Sequence, residues 1–212
     1  MKRIMTVLAL AAFAAAPAAA QWLGMPVWNS PKGGTGVTIS GDLAMPNADW
    51  GKGTAFGVRG SLGLANLQLT AGLANWKPDG APESFTSIGG NAAFRIIGGS
   101  LLPIALNLQV GAATIAAANG SASQTRLTAG GGVAVSVPTP GISIEPYLSI
   151  TNRWYKESGF TGFSNLGWTL GANANFGMFG VHVAYDSESN SGTTGGIIGI
   201  GAHIALKAPI GM

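Results

Sequence analysis

Residues 167–186 read GWTLGANANFGMFGVHVAYD. Taken in steps of two, one face carries Trp168, Leu170, Ala172, Ala174 and Phe176, then Val181, Val183 and Tyr185. The other carries Gly167, Thr169, Gly171, Asn173 and Asn175, then His182, Ala184 and Asp186. Alternation of this length is a strand signal, and the tight link at residues 177–180 makes the two strands an antiparallel hairpin. One face is oily and ends in aromatics, the other small and hydrated. A sheet that closes into a membrane-spanning barrel needs that division.

The same period runs outward on both sides of the hairpin. Strands are expected over residues 35–44, 54–63, 66–76, 85–97, 103–115, 125–137, 142–155 and 197–207. With the hairpin they make ten. Tight turns fall at Leu64-Ala65, at Gly98-Gly99 and at Pro138-Thr139-Pro140-Gly141, where proline cannot donate to a ladder. The alternate connections are polar loops of about nine residues, the last being SESNSGTTG at residues 187–195. Long loops at one end and short turns at the other characterise exported barrels, and strands of this length suit a tilted span of the hydrocarbon layer.

Charge gives an independent check, because each strand's frame was set from its apolar residues. Asp42, Arg59, Arg95, Arg126, Glu145, Arg153 and Asp186 all fall on the polar face. A basic side chain facing lipid at mid-depth costs roughly 2–4 kcal/mol, which is the physical reason for such sorting. Aromatics gather towards strand ends. Trp50, Trp76, Trp154, Tyr155, Trp168 and Tyr185 lie on the loop side, and Phe94, Phe176 and Phe179 on the turn side. Two such girdles mark the membrane interfaces.

Composition agrees. Only 9% of the 212 residues are charged, 34 are glycine and none is cysteine. The chain is too apolar for disorder, and it has neither a collagen period nor a disulfide framework. Lys2 and Arg3, the apolar run 4–16 and Ala18-Ala19-Ala20 read as a signal peptide over residues 1–20, cleaved before Gln21. A retained membrane helix is the alternative, but the run is short and ends near Pro17. Removing Lys2 and Arg3 leaves nine basic residues against eight acidic ones. No clustered basic patch points to nucleic acid. Residues 21–34, with Pro26, Pro31 and paired glycines, are expected to form a periplasmic arm whose Trp22 and Trp28 pack under the barrel or at the interface.

The fold class is therefore all-β, a single closed antiparallel up-and-down transmembrane β-barrel of about ten strands, with eight as the alternative. A soluble sandwich or lipocalin-like barrel would need large apolar side chains inside and charge outside. Here Tyr147 and Ile197 are the bulky members of the small polar face.

The pattern resembles the small outer-membrane β-barrel family of Gram-negative bacteria (the OmpA/OmpX-like barrel domain). The resemblance spans residues 35–207 and is carried by EPYLSI at 145–150, GWTLGANANFG at 167–177, VHVAYD at 181–186 and GIIGIGAHIAL at 196–206. It implies location in the outer membrane, contact with outer-membrane lipid and lipopolysaccharide, insertion by the outer-membrane assembly machinery, and a monomer. Two features depart from the family. The tail at residues 208–212 carries no terminal aromatic, and ten strands exceed the eight typical of the smallest members.

Candidate chemistry is sparse. Asp42 and Arg59 sit at mirrored distances from the first long loop and should pair inside the lumen, most simply as a structural ion pair. Arg95 and Glu145, both towards the turn side, are placed to bridge the lumen. Arg126 and Arg153 lie near the outer mouth, where they attract anions or pair with loop acids such as Glu157. His182 and His203 point inward, but the expected register separates them by about 13 Å, too far for a shared metal. No metal or cofactor is expected. The glycines at 196, 199 and 201 lie within a strand, so they read as features of a curved sheet and not as a dinucleotide loop. No His-x-Ser motif of an acyl-modifying barrel is present, so an enzyme is not expected. The expected function is a structural barrel or a narrow passive channel for small solutes. The alternatives are a surface-loop adhesion module and, last, a lipid-modifying enzyme.

Overall fold

The computed structural model of the chain describes residues 22–98, 102–116, 123–157, 161–190 and 193–206. The expected signal peptide and the tail at 208–212 lie outside the described residues. The strands are β1 (Gly36–Pro46), β2 (Thr54–Leu64), β3 (Leu67–Lys77), β4 (Phe85–Ile97), β5 (Ile104–Ile115), β6 (Gln124–Val135), β7 (Val137–Thr139), β8 (Ile142–Glu157), β9 (Phe163–Phe176), β10 (Phe179–Asn190) and β11 (Thr193–Leu206). A single turn of 3-10 helix, Ala48–Trp50, lies between β1 and β2.

Each long strand pairs antiparallel with its neighbours in the chain, and the ring shuts where β1 meets β11. Three-residue β7 extends the β6–β8 hairpin at the turn end, while β6 itself pairs with β8. Ten long strands thus close on one another and leave no edge, so the backbone groups of the wall are satisfied within it. The short turns form one end of the ring, called here the turn end, and the polar connections form the loop end.

The expected strands recur with ends moved by a residue or two, except that β9 starts four residues earlier than expected, at Phe163, and that the strands beside the last loop are longer. Residues 187–195 do not form a nine-residue loop. β10 and β11 stay paired as far as Asn190 and Thr193, which puts Glu188 inside the ring and leaves Ser187, of the opposite parity, on the outer face opposite Trp168. The polar SESN run continues the strand's alternation instead of breaking it.

Outside and inside divide by residue parity. Outward side chains such as Phe56, Ile88, Leu108, Leu166 and Leu170 are more than half exposed. Every charged residue assigned to the polar face points inward, and Asp42, Arg126, Glu145, Arg153 and Asp186 are buried there. This is the inverse of a soluble barrel, whose interior is apolar.

The expectation of an arm beneath the barrel is corrected. Residues 22–29 are buried without exception, Met25 and Val27 at 1% exposure, because this segment runs down the inside of the ring. It starts at the loop end, where the Leu23 amide donates to Ser87 Oγ, 3.0 Å away. It leaves at the turn end, where Arg95 Nη1 donates to the Lys32 carbonyl, and joins β1. The physical reason lies in the wall. Ala44, Ala55, Ala74, Ala134 and Ala184 face inward, and Trp22, Met25 and Trp28 fill the space those small side chains leave. Pro26 and Pro31 keep the segment irregular, so its backbone finds its partners on wall side chains.

Candidate functional site: the filled lumen

The inner segment is tied to the wall on several sides. Asp186 Oδ2 accepts from the Val27 amide at 3.1 Å, and Tyr147 Oη donates to the Val27 carbonyl at 3.4 Å. Asn29 exchanges hydrogen bonds with Asn107, at 2.8 and 3.2 Å, and donates to Ser149 Oγ at 2.8 Å. Ser30 Oγ and Asn173 Nδ2 donate to Glu145 Oε1 at 3.1 and 3.2 Å. Arg95 and Glu145 therefore do not bridge the lumen as expected. The segment lies between them and takes both, with Arg95 Nη2 also donating to Asn66 Oδ1 at 2.7 Å.

Towards the loop end lies a buried ionic network. Arg153 is fully buried. It grips Asp186 with two parallel bonds of 2.7 and 2.8 Å and reaches Glu188 Oε2 at 2.8 Å. Its Nε donates to Thr151 Oγ1 at 3.0 Å. Arg126 meets Glu188 at 3.0 Å and lies over the Tyr155 ring, 5.1 Å from its centroid. Tyr155 Oη and Asn165 Nδ2 complete the shell around Glu188, each within 2.6 Å. The acids that meet the two arginines are thus Asp186 and Glu188 on β10, not loop acids such as Glu157. Glu188 is the site residue missed from sequence. Four inward arginines against three inward acids, counted over the expected set, were the signal that one acid lay unplaced.

Three girdle aromatics also need correction. Tyr155 shares the parity of Arg153 and is buried inside. Trp76 shares the parity of Ala74, and together with Trp50 it packs on the inner cluster at the loop-end mouth. Trp154, Trp168, Tyr185, Phe94, Phe176 and Phe179 do face outward.

The second cluster lies where the inner segment gives way to a cavity of about 780 Å³ at the turn end. Arg59 Nε donates to Asp42 Oδ2 at 2.8 Å, so these two meet across β1 and β2. His182 Nε2 lies 2.6 Å from Asp42 Oδ1, and His182 and His203 stand with their Nδ1 atoms 3.2 Å apart. The expected 13 Å separation is therefore overturned. His182 faces Gly201 and His203 faces Gly180, a diagonal offset of two residues that brings same-face side chains together. Trp28 of the inner segment packs edge-on against His182, 4.6 Å between centroids.

Glycine makes room for this interior. A Cβ on Gly167 would fall 2.5 Å from Arg153 Nη2, and one on Gly201 would fall 2.5 Å from Asp42 Oδ1. Gly199 has the same relation to Pro26 and Trp28. The glycines of β11 are sockets for inward bulk, a role beyond that of curvature alone.

The fold and interior define a ten-stranded barrel with an oily exterior, a charged interior and a lumen occupied by its own chain. No protein-family model and no curated protein sequence matches the chain. Among solved structures it is similar to the N-terminal β-barrel domain of OprF from Pseudomonas aeruginosa, at 9% identity and TM-score 0.39, covering 82% of this chain and 99% of that one. It is also similar to Neisserial surface protein A, at 12% identity and TM-score 0.38, covering 80% and 96%. The attachment invasion locus protein Ail of Yersinia pestis matches at 14% identity and TM-score 0.30, covering 82% and 99%.

Proposed function

We propose that the protein is a monomeric outer-membrane barrel that seals its own lumen and serves as a structural element of that membrane. The observation that carries this reading is the buried segment 22–31, hydrogen-bonded to β4, β5, β8, β9 and β10. The many outward Leu, Ile, Val and Phe side chains need hydrocarbon around them, since exposure of such area to water costs about 25 cal/mol per Å². Lipid and lipopolysaccharide are its surroundings, and insertion falls to the outer-membrane assembly machinery. Among the described residues no helix is long and apolar enough to cross a membrane, so crossing rests on the strands.

The channel reading now meets a specific obstacle. Above the cavity, Trp22, Met25, Val27 and Trp28 fill the section that solute would traverse, and the Arg153 network closes the space beside them. In planar bilayers the purified protein is expected to give no conductance steps above background. Deleting residues 22–31 should produce steps, because the wall they cover is lined by Ala, Ser, Asn and Gly. Steps of equal size from both proteins would refute the sealed-barrel reading.

A further inference from the structure

The turn-end histidines hold an arrangement that neither a sealed barrel nor a channel needs. His182 Nε2 faces Asp42 Oδ1 at 2.6 Å, and His203 Nε2 faces Asn175 Oδ1 at 2.8 Å. Carboxylate and amide oxygens only accept, so both Nε2 atoms carry hydrogen. Arg59 Nη2, 3.0 Å from His182 Nε2, is a further N–H turned on the same Asp42 carboxylate, 3.4 Å from Oδ1. In neutral rings both Nδ1 atoms are then bare, and their lone pairs confront each other across 3.2 Å. Two such lone pairs repel unless a cation lies between them.

The spacing indicates which cation. Two imidazole nitrogens, each about 2.0–2.1 Å from one tetrahedral ion, stand about 3.3 Å from each other. The outer partners match as well, because metal-bound histidines donate their other N–H to a carboxylate or carbonyl that fixes the ring. Asp42 and Asn175 occupy those two places. We propose that His182 and His203 form a two-histidine site for a first-row divalent ion, zinc or copper, at the wall of the turn-end cavity. Among the described residues no three His, Cys, Asp or Glu side chains are gathered as a metal set, so the chain supplies two ligands. Both histidines line the cavity, from which water completes the coordination. Asp42, already paired with Arg59, offsets part of the ion's charge.

The test uses the tag-free full chain in detergent, stripped with chelator and shown folded by its heat-modifiable gel mobility. After incubation with a small excess of Zn²⁺ and desalting, about one ion per chain is expected by elemental analysis. Cu²⁺ loading should give an electron paramagnetic resonance spectrum with hyperfine structure from two nitrogens. His203→Ala, at the more open of the two rings, should weaken retention at least tenfold and leave one nitrogen in the spectrum, with gel mobility unchanged. Asn175→Leu removes only the outer partner and should weaken binding about tenfold while keeping two nitrogens. If the wild-type protein retains no metal, or if His203→Ala retains as much with the same spectrum, the proposal fails. The two rings are then joined by a shared proton, with the Asn175 amide turned about.

Discussion

Arg153 illustrates at the residue scale how a charge is kept away from water. Its guanidinium meets two carboxylates and a hydroxyl, and Gly167 opposite has no side chain to obstruct it. Removing one partner of a buried pair leaves the other charge uncompensated and costs about 3–5 kcal/mol. Arg153→Met should therefore lower stability by about that amount, read from urea unfolding in lipid vesicles. Arg126 touches a single carboxylate, so Arg126→Met should lose less than half as much. Equal losses would mean that Glu188, and not Asp186, anchors the network. Some of this was legible in sequence. Parity placed each arginine inside, and mirrored spacing about the first long loop paired Asp42 with Arg59. The histidine pair was overlooked because the expected offset along the strands is about 13 Å, whereas the register that joins Asp186 to Ile197 leaves His182 and His203 only two residues apart on one face. Tyr155 was misplaced for a different reason. Proximity to a strand end outweighed its parity, although the period of two is the stronger physical constraint.

At the scale of elements, the strands were readable because hydrocarbon on one side and small polar groups on the other impose a strict period. The inner segment has no period, since it touches wall on all sides and follows neither helix nor strand geometry. Its position is set by volume, with large side chains at 22, 25 and 28 set against alanines on the wall. The outward face makes a sharper prediction. Val110, midway along β5, is 49% exposed on that face. Val110→Arg should cost roughly 2–4 kcal/mol in the lipid-bound protein. Thr128→Arg is an inward control, and it should instead disturb the packing around the neighbouring Arg153 side of the wall. A Val110→Arg variant as stable as the parent would mean that this face does not meet lipid.

The whole molecule sorts its tryptophans into two populations. Trp154 and Trp168 face out, while Trp22 and Trp28 lie within the ring. In vesicles of brominated phospholipid, variants keeping only Trp154 or Trp168 should be strongly quenched. Variants keeping only Trp22 or Trp28 should be quenched hardly at all, and the reverse ranking would contradict the architecture.

A ring fastened by hydrogen bonds all the way round has no door. Segment 22–34 leads directly into β1, and β1 is one of the two staves that meet at the seam with β11. Two tryptophan rings cannot be pushed in afterwards through a wall already shut. The vessel is built around its own bung, so the last stave should close only on chains whose residues 22–34 are already seated.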